Sequence, residues 1–133
     1  MMMKKVLVVE DDADAREIYA RILEERGYTV ITATNGAEGV HFARRTHPDL
    51  ILMDLRMPVM DGWQAVRYVR ADSTTSKIPV WALSAYLDEQ PEGYRPARSF
   101  DRFIPKPCPP EQLAADVERW LGPAGTGRSP STS

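Results

Sequence analysis

Cysteine is almost missing from this chain: Cys108 is the only one in 133 residues. No disulfide can form within the chain. With no signal-peptide pattern either, the reducing cytoplasm is the expected compartment. Long apolar runs are missing too. The longest are strand-sized, which excludes a transmembrane helix. Net charge is small, −2 from 17 Lys and Arg against 19 Asp and Glu. That balance gives no drive toward nucleic acid or a membrane surface. Histidine is scarce: His41 and His47 have no carboxylate or cysteine at ligand spacing, so both read as surface residues. There is no internal repeat.

What remains is enough for one domain. Hydrophobic residues make up 43%, and a chain of this size can bury roughly two thirds of its unfolded surface. Strand and helix patterns alternate. Val6–Val9 is a short apolar run, as expected of a strand covered on both faces. Asp12 to Arg26 reads as a helix with Ala15, Ile18, Ile22 and Leu23 inward and Gly27 as its stop. Tyr28–Ala33 is β-branched and strand-like. Asn35 caps a second helix to about Arg45, which Gly39 weakens by about 1 kcal/mol relative to Ala. Leu50–Asp54 is a third strand. Gly62–Arg70 is a third helix with Trp63, Val66 and Val69 inward. Ile78–Ser84 and Phe103–Ile104 give two further strands. Trp81 reads as core against a helix, and Met53, Met57 and Met60 as packing. Pro110 suits the first turn of a last helix ending near Leu121. Residues 122–133 are rich in Gly, Pro, Ser and Thr and read as a flexible tail. This order implies an α/β domain over residues 1–121, with a doubly wound parallel sheet and right-handed crossovers.

The chemistry gathers at strand ends. Glu10-Asp11-Asp12 closes the first strand and Asp54 the third, where open α/β sheets place their ligands. If those strands are neighbours, three or four carboxylates converge. Such a group raises its own pKa values or demands a cation, and Mg2+ is the hard, oxygen-seeking choice. The bland alternative for the first cluster is a favourable charge pattern at a helix N-terminus, and Asp12 is read as only that.

Four motifs then occur in order: Val-Val-Glu-Asp-Asp, Leu-Met-Asp-Leu-Arg-Met-Pro-Val-Met-Asp-Gly, Leu-Ser-Ala and Ile-Pro-Lys-Pro. Each alone is weak. Together, each at a strand's C-terminal end, they resemble the CheY-like receiver domain of response regulators in two-component signalling. The likeness runs from Lys5 to Leu121. It implies a flavodoxin-like sheet of five strands in the order 2-1-3-4-5 flanked by five helices. It makes Asp54 the phosphoacceptor, supplied by a sensor histidine kinase or a histidine phosphotransfer protein. It implies a Mg2+ (or Mn2+) site from Glu10, Asp11, Asp54 and the carbonyl of Arg56, with Glu10 acting through water. Lys106 resembles the lysine that reaches the phosphoryl oxygens. Ser84 resembles the switch hydroxyl and Phe103 the aromatic that turns with it. Ala85 keeps the phosphate approach open. The same likeness implies a cis peptide before Pro107, where sequence statistics favour trans.

Two departures stand out. A helix is expected over Asp88–Phe100, yet Pro91, Gly93 and Pro96 interrupt it, so it should be short or broken. Arg95, Arg98 and Arg102 make that region basic, as a degraded loop or an altered docking surface. Arg56 and Tyr86 flank the phosphate position and are bulky enough to shield an acyl phosphate. The expectation is a stand-alone phosphoacceptor switch that signals to an unknown downstream protein and is not an enzyme in the turnover sense. A haloacid-dehalogenase-like phosphatase would need an acid where Arg56 stands. A small flavodoxin would need a Ser/Thr/Gly phosphate loop after the first strand. A pseudo-receiver that only docks partners would lack the site residues, and all are present.

Overall fold

The computed structural model describes residues 3–85 and 99–122. Five strands form one parallel sheet in the order β2-β1-β3-β4-β5. They are β1 (Lys5–Val9), β2 (Thr29–Ala33), β3 (Leu50–Asp54), β4 (Val80–Ser84) and β5 (Arg102–Pro105). The three central strands are buried almost throughout, which is why they read as unbroken apolar runs. The edges are polar: β2 exposes Thr29 and Thr32, and β5 exposes Arg102 and Pro105. Short, polar or Pro-bearing edges resist pairing with a second sheet.

Four helices lie among the described residues: α1 (Ala13–Glu25), α2 (Gly36–Thr46), α3 (Gly62–Ala71) and α4 (Pro110–Leu121). The further helix expected over Asp88–Phe100, with Arg95 and Arg98, falls almost wholly in residues 86–98, outside the described residues. The expected tail also lies outside them, beyond Gly122. No described helix is long and apolar enough to cross a membrane.

Strand alternation sorts the core into two layers. Val6, Val8, Leu50, Leu52, Trp81, Leu83 and Ile104 pack with Tyr19 and Leu23 of α1 and Leu113, Val117 and Leu121 of α4. Leu7, Val9, Ile51, Met53 and Val80 pack with Val40 and Ala43 of α2 and Ala65, Val66 and Val69 of α3. Trp81 is fully buried, as expected, and meets Trp120 of α4 edge to face at 5.8 Å. On α1 one expectation fails. Ile18 is 48% exposed, and Tyr19 takes the inward place. Its hydroxyl reaches the Cys108 carbonyl at 3.4 Å, so a tyrosine satisfies its polar end and still fills the core.

Two helix starts carry side-chain caps, that of Asn35 as expected. Asn35 accepts from the Glu38 N–H, and Asp61 forms a reciprocal capping box with Gln64. Gly39, costly by propensity alone, has a packing reason: a Cβ there would lie 2.9 Å from Val9 Cγ2. Gly62 is tighter still, since a Cβ would meet the Asp54 carbonyl oxygen at 2.4 Å. α3 therefore starts directly against the end of β3. Gly62→Ala is expected to lose about 1–3 kcal/mol of stability through this clash, measurable by urea denaturation.

Candidate functional site

Register brings the acids together. Val9 pairs with Met53 across β1 and β3, so the next residues, Glu10 and Asp54, emerge side by side. They share strand parity with Val8 and Leu52, which face α1 and α4. Lys106, two residues beyond Ile104, follows the same parity from β5. Carboxylate oxygens of Glu10, Asp11 and Asp54 all lie within 4.8 Å of one another. The Lys106 ammonium donates to Glu10 Oε1 at 3.0 Å and stands 3.5 Å from Asp54 Oδ2. The peptide before Pro107 is cis. The Lys106 N–H bonds the Ser84 carbonyl at 2.9 Å, which anchors the lysine to the tip of β4.

Burial sets the electrostatics. Glu10 is 1% exposed and Asp54 6%. Burial first, then the hydrogen bond and charge of Glu10, push Asp54 from 3.8 up to about 7. Lys106 and the Arg56 N–H, 3.4 Å from Asp54 Oδ1, pull it the other way. For Lys106, burial works to lower the pKa, but the Glu10 hydrogen bond and the charge of Asp54 outweigh it and the net shift is upward. The pocket holds more negative charge than one ammonium offsets. An all-oxygen donor set of this kind suits a hard divalent cation.

The other expected residues divide. Ser84 is buried and Phe103 half-buried. Both follow the parity of Ala82, which pairs with Phe103, so they belong to the opposite face from the acids. Phe103 joins Trp63 and Phe100 in a three-ring cluster, with centroids 5.3–6.0 Å apart, over Leu55 and Ala82. Arg56 and Ala85 are exposed just past β3 and β4. Tyr86 lies outside the described residues. His41 and His47 are both exposed, as expected, and Cys108 is buried.

Sequence reasoning missed Arg16. An arginine at this point of a helix ordinarily points to solvent, but the Arg16 guanidinium turns back to the carbonyls of Glu10 at 2.9 Å and Asp11 at 3.4 Å. The only signal in the sequence was an arginine one helical turn beyond the acidic cluster.

A doubly wound parallel sheet with an acidic pocket at its strand tips, bridged by one lysine, defines a class of signalling domain. The family model "Response regulator receiver domain" matches residues 6–118. The chain belongs to that family. It is 30% identical over 123 residues to the polar-differentiation response regulator DivK of Brucella ovis, covering 92% of this chain and 100% of that protein. The chemotaxis response regulator CheY4 of Vibrio cholerae superposes with a TM-score of 0.79 at 31% identity, covering 89% of this chain and 98% of that one. A receiver domain of a sensor histidine kinase from Pseudomonas aeruginosa gives 0.79 at 30% identity, covering 91% and 99%, and its structure has a magnesium ion coordinated in the active site cleft.

The raised Asp54 pKa has a signed consequence for the metal-free protein. A carboxyl with a folded pKa of about 7 against 3.8 costs stability progressively between those values and fully above them. Asp54→Asn is therefore expected to stabilise the metal-free protein at pH 8 by on the order of 1–4 kcal/mol. The gain should shrink as pH falls toward 4, which denaturant melts across that range will read.

Proposed function

We propose that this chain is a cytoplasmic phosphoacceptor switch in which Asp54 takes a phosphoryl group from a histidine kinase or a histidine phosphotransfer protein. One observation carries the reading: Glu10, Asp11 and Asp54 converge within 4.8 Å, with the Lys106 ammonium bridging two of them. The same donors fit Mg2+ (or Mn2+), with the Arg56 carbonyl as a further ligand. Bound there, the ion supplies charge neutralisation for the phosphoryl oxygens.

The protein's own groups account for the rest. Asp54, ionised, attacks the phosphorus of the donor phosphohistidine. An O–P bond forms, the P–N bond breaks, and its electron pair leaves with the imidazole. Lys106 then has phosphoryl oxygens to hold, as a point charge at the edge of the pocket. Ser84 supplies a hydroxyl donor at the tip of β4, and Phe103 turns with it. The new dianion so biases the surface formed by β5 and the helix expected over Asp88–Phe100, where a downstream protein reads it. Phosphate is carried once per cycle on the protein itself, so this is a signalling module and not an enzyme that turns over a substrate.

Incubation with acetyl phosphate and Mg2+, followed by intact mass, is expected to add one phosphoryl group to the wild type and none to Asp54→Asn. Addition to both, or to neither, overturns the assignment. Arg56 and Tyr86 are proposed to shield the acyl phosphate from water. The double variant Arg56→Ala, Tyr86→Ala is accordingly expected to lose phosphate several-fold faster, measured by the decay of the phosphorylated mass after donor removal.

A further inference from the structure

We propose that Arg16 is a positioning residue for the divalent-cation site, a clamp that fixes the backbone carrying Glu10 and Asp11 so that their carboxylates meet Asp54. The inference rests on the metal reading above and extends it to a residue that touches none of the carboxylates.

Three consecutive carbonyls converge on this one residue. The Arg16 backbone N–H takes the Asp12 carbonyl at 2.9 Å. Its guanidinium takes the Glu10 carbonyl at 2.9 Å and reaches the Asp11 carbonyl at 3.4 Å. The usual device for organising a loop that enters a helix is a side-chain cap. Here it is missing, because Asp12 occupies the cap position and makes no capping hydrogen bond. The clamp replaces it. Glu10 is then fixed from two sides: its N–H bonds the Ala33 carbonyl of β2 at 3.0 Å, and its carbonyl is held by Arg16. Asp11 sits exposed on the loop, without the packing that locks Asp54. Its direction depends on the peptides around it, and those are the peptides Arg16 grips.

Charge and geometry pull in opposite directions, which makes the idea testable. As a cation near a cation site, Arg16 opposes metal binding by Coulomb repulsion. As a clamp, it favours binding by holding the ligands in place. Groups that orient metal ligands are typically worth about 10–100-fold in affinity, and the guanidinium's contacts are with carbonyl oxygens, not with a carboxylate of the site. Geometry should win.

The test is Mg2+ titration by calorimetry without a phosphodonor, on wild type, Arg16→Met, Arg16→Lys and Asp11→Asn. Amide spectra of the metal-free proteins accompany it. Arg16→Met is expected to bind Mg2+ about tenfold more weakly, although it has lost a positive charge. The amides of residues 10–12 should shift before any metal is added. Arg16→Lys, which keeps the charge but not the fork, is also expected to bind more weakly than wild type. Equal or tighter binding by a folded Arg16→Met overturns the clamp, as does wild-type affinity in Arg16→Lys should Arg16→Met fail to fold. If the wild type binds no Mg2+, or binds it as Asp11→Asn does, the metal reading itself falls and the clamp with it.

Discussion

Two carboxylates buried on adjacent strands are the constraint around which this molecule is arranged. Glu10 and Asp54 cannot move apart, because β1 and β3 are paired in register up to the residues before them. They cannot turn to solvent either, because strand parity aims both at the layer under α1 and α4. Burial against the apolar sheet first, and then the nearness of Glu10, disfavour the ionised form of Asp54, and the cost appears as its upward shift. Lys106 offsets part of that cost through its contacts at 3.0 and 3.5 Å. It does so from the residue just after β5, so the charge balance of the pocket depends on four of the five strands, β1, β3, β4 and β5. A site left with surplus negative charge is primed to receive positive charge.

The two faces of the sheet divide the labour. Acids and lysine lie on the face of α1 and α4, whereas Ser84 and Phe103 follow the parity of the opposite face. The two faces meet at the strand ends. Hydrogen bonds join the strands there: the Leu55 N–H takes the Leu83 carbonyl at 3.1 Å, and the Lys106 N–H takes the Ser84 carbonyl at 2.9 Å. The tip of β4 is thus tied to the chain leaving β3 on one side and the chain leaving β5 on the other. The peptide that carries the Ser84 hydroxyl is thereby fixed to the backbone of Lys106.

Much of this was legible in the sequence, for physical reasons. Strands buried on both faces announce themselves as apolar runs, and a cap such as Asn35 marks a helix start. The motifs at the strand tips located Glu10, Asp11, Asp54 and Lys106, and the pocket gathers all four. The layer each core residue joins was not legible, because a strand buried on both sides shows no alternation. Ile18 and Tyr19 were exchanged for a related reason: hydropathy ranks isoleucine above tyrosine, yet a tyrosine with a carbonyl within reach is the better filler. Gly39 looked like a weakness because propensity ignores what lies across the helix, here Val9. Arg16 escaped notice because a surface arginine and a backbone clamp look identical until the loop before them is folded.

The placement of the three tryptophans has a practical meaning. Trp63 sits against Phe103 and Phe100, one residue after the glycine that abuts the Asp54 carbonyl. Trp81 is sealed in the opposite layer, and Trp120 is 53% exposed beside it. The chain therefore carries one native fluorophore inside the cluster of Phe100 and Phe103 and two others outside it. With Trp81 and Trp120 replaced by phenylalanine, the emission of Trp63 reports on the surroundings of that cluster alone, with no label attached.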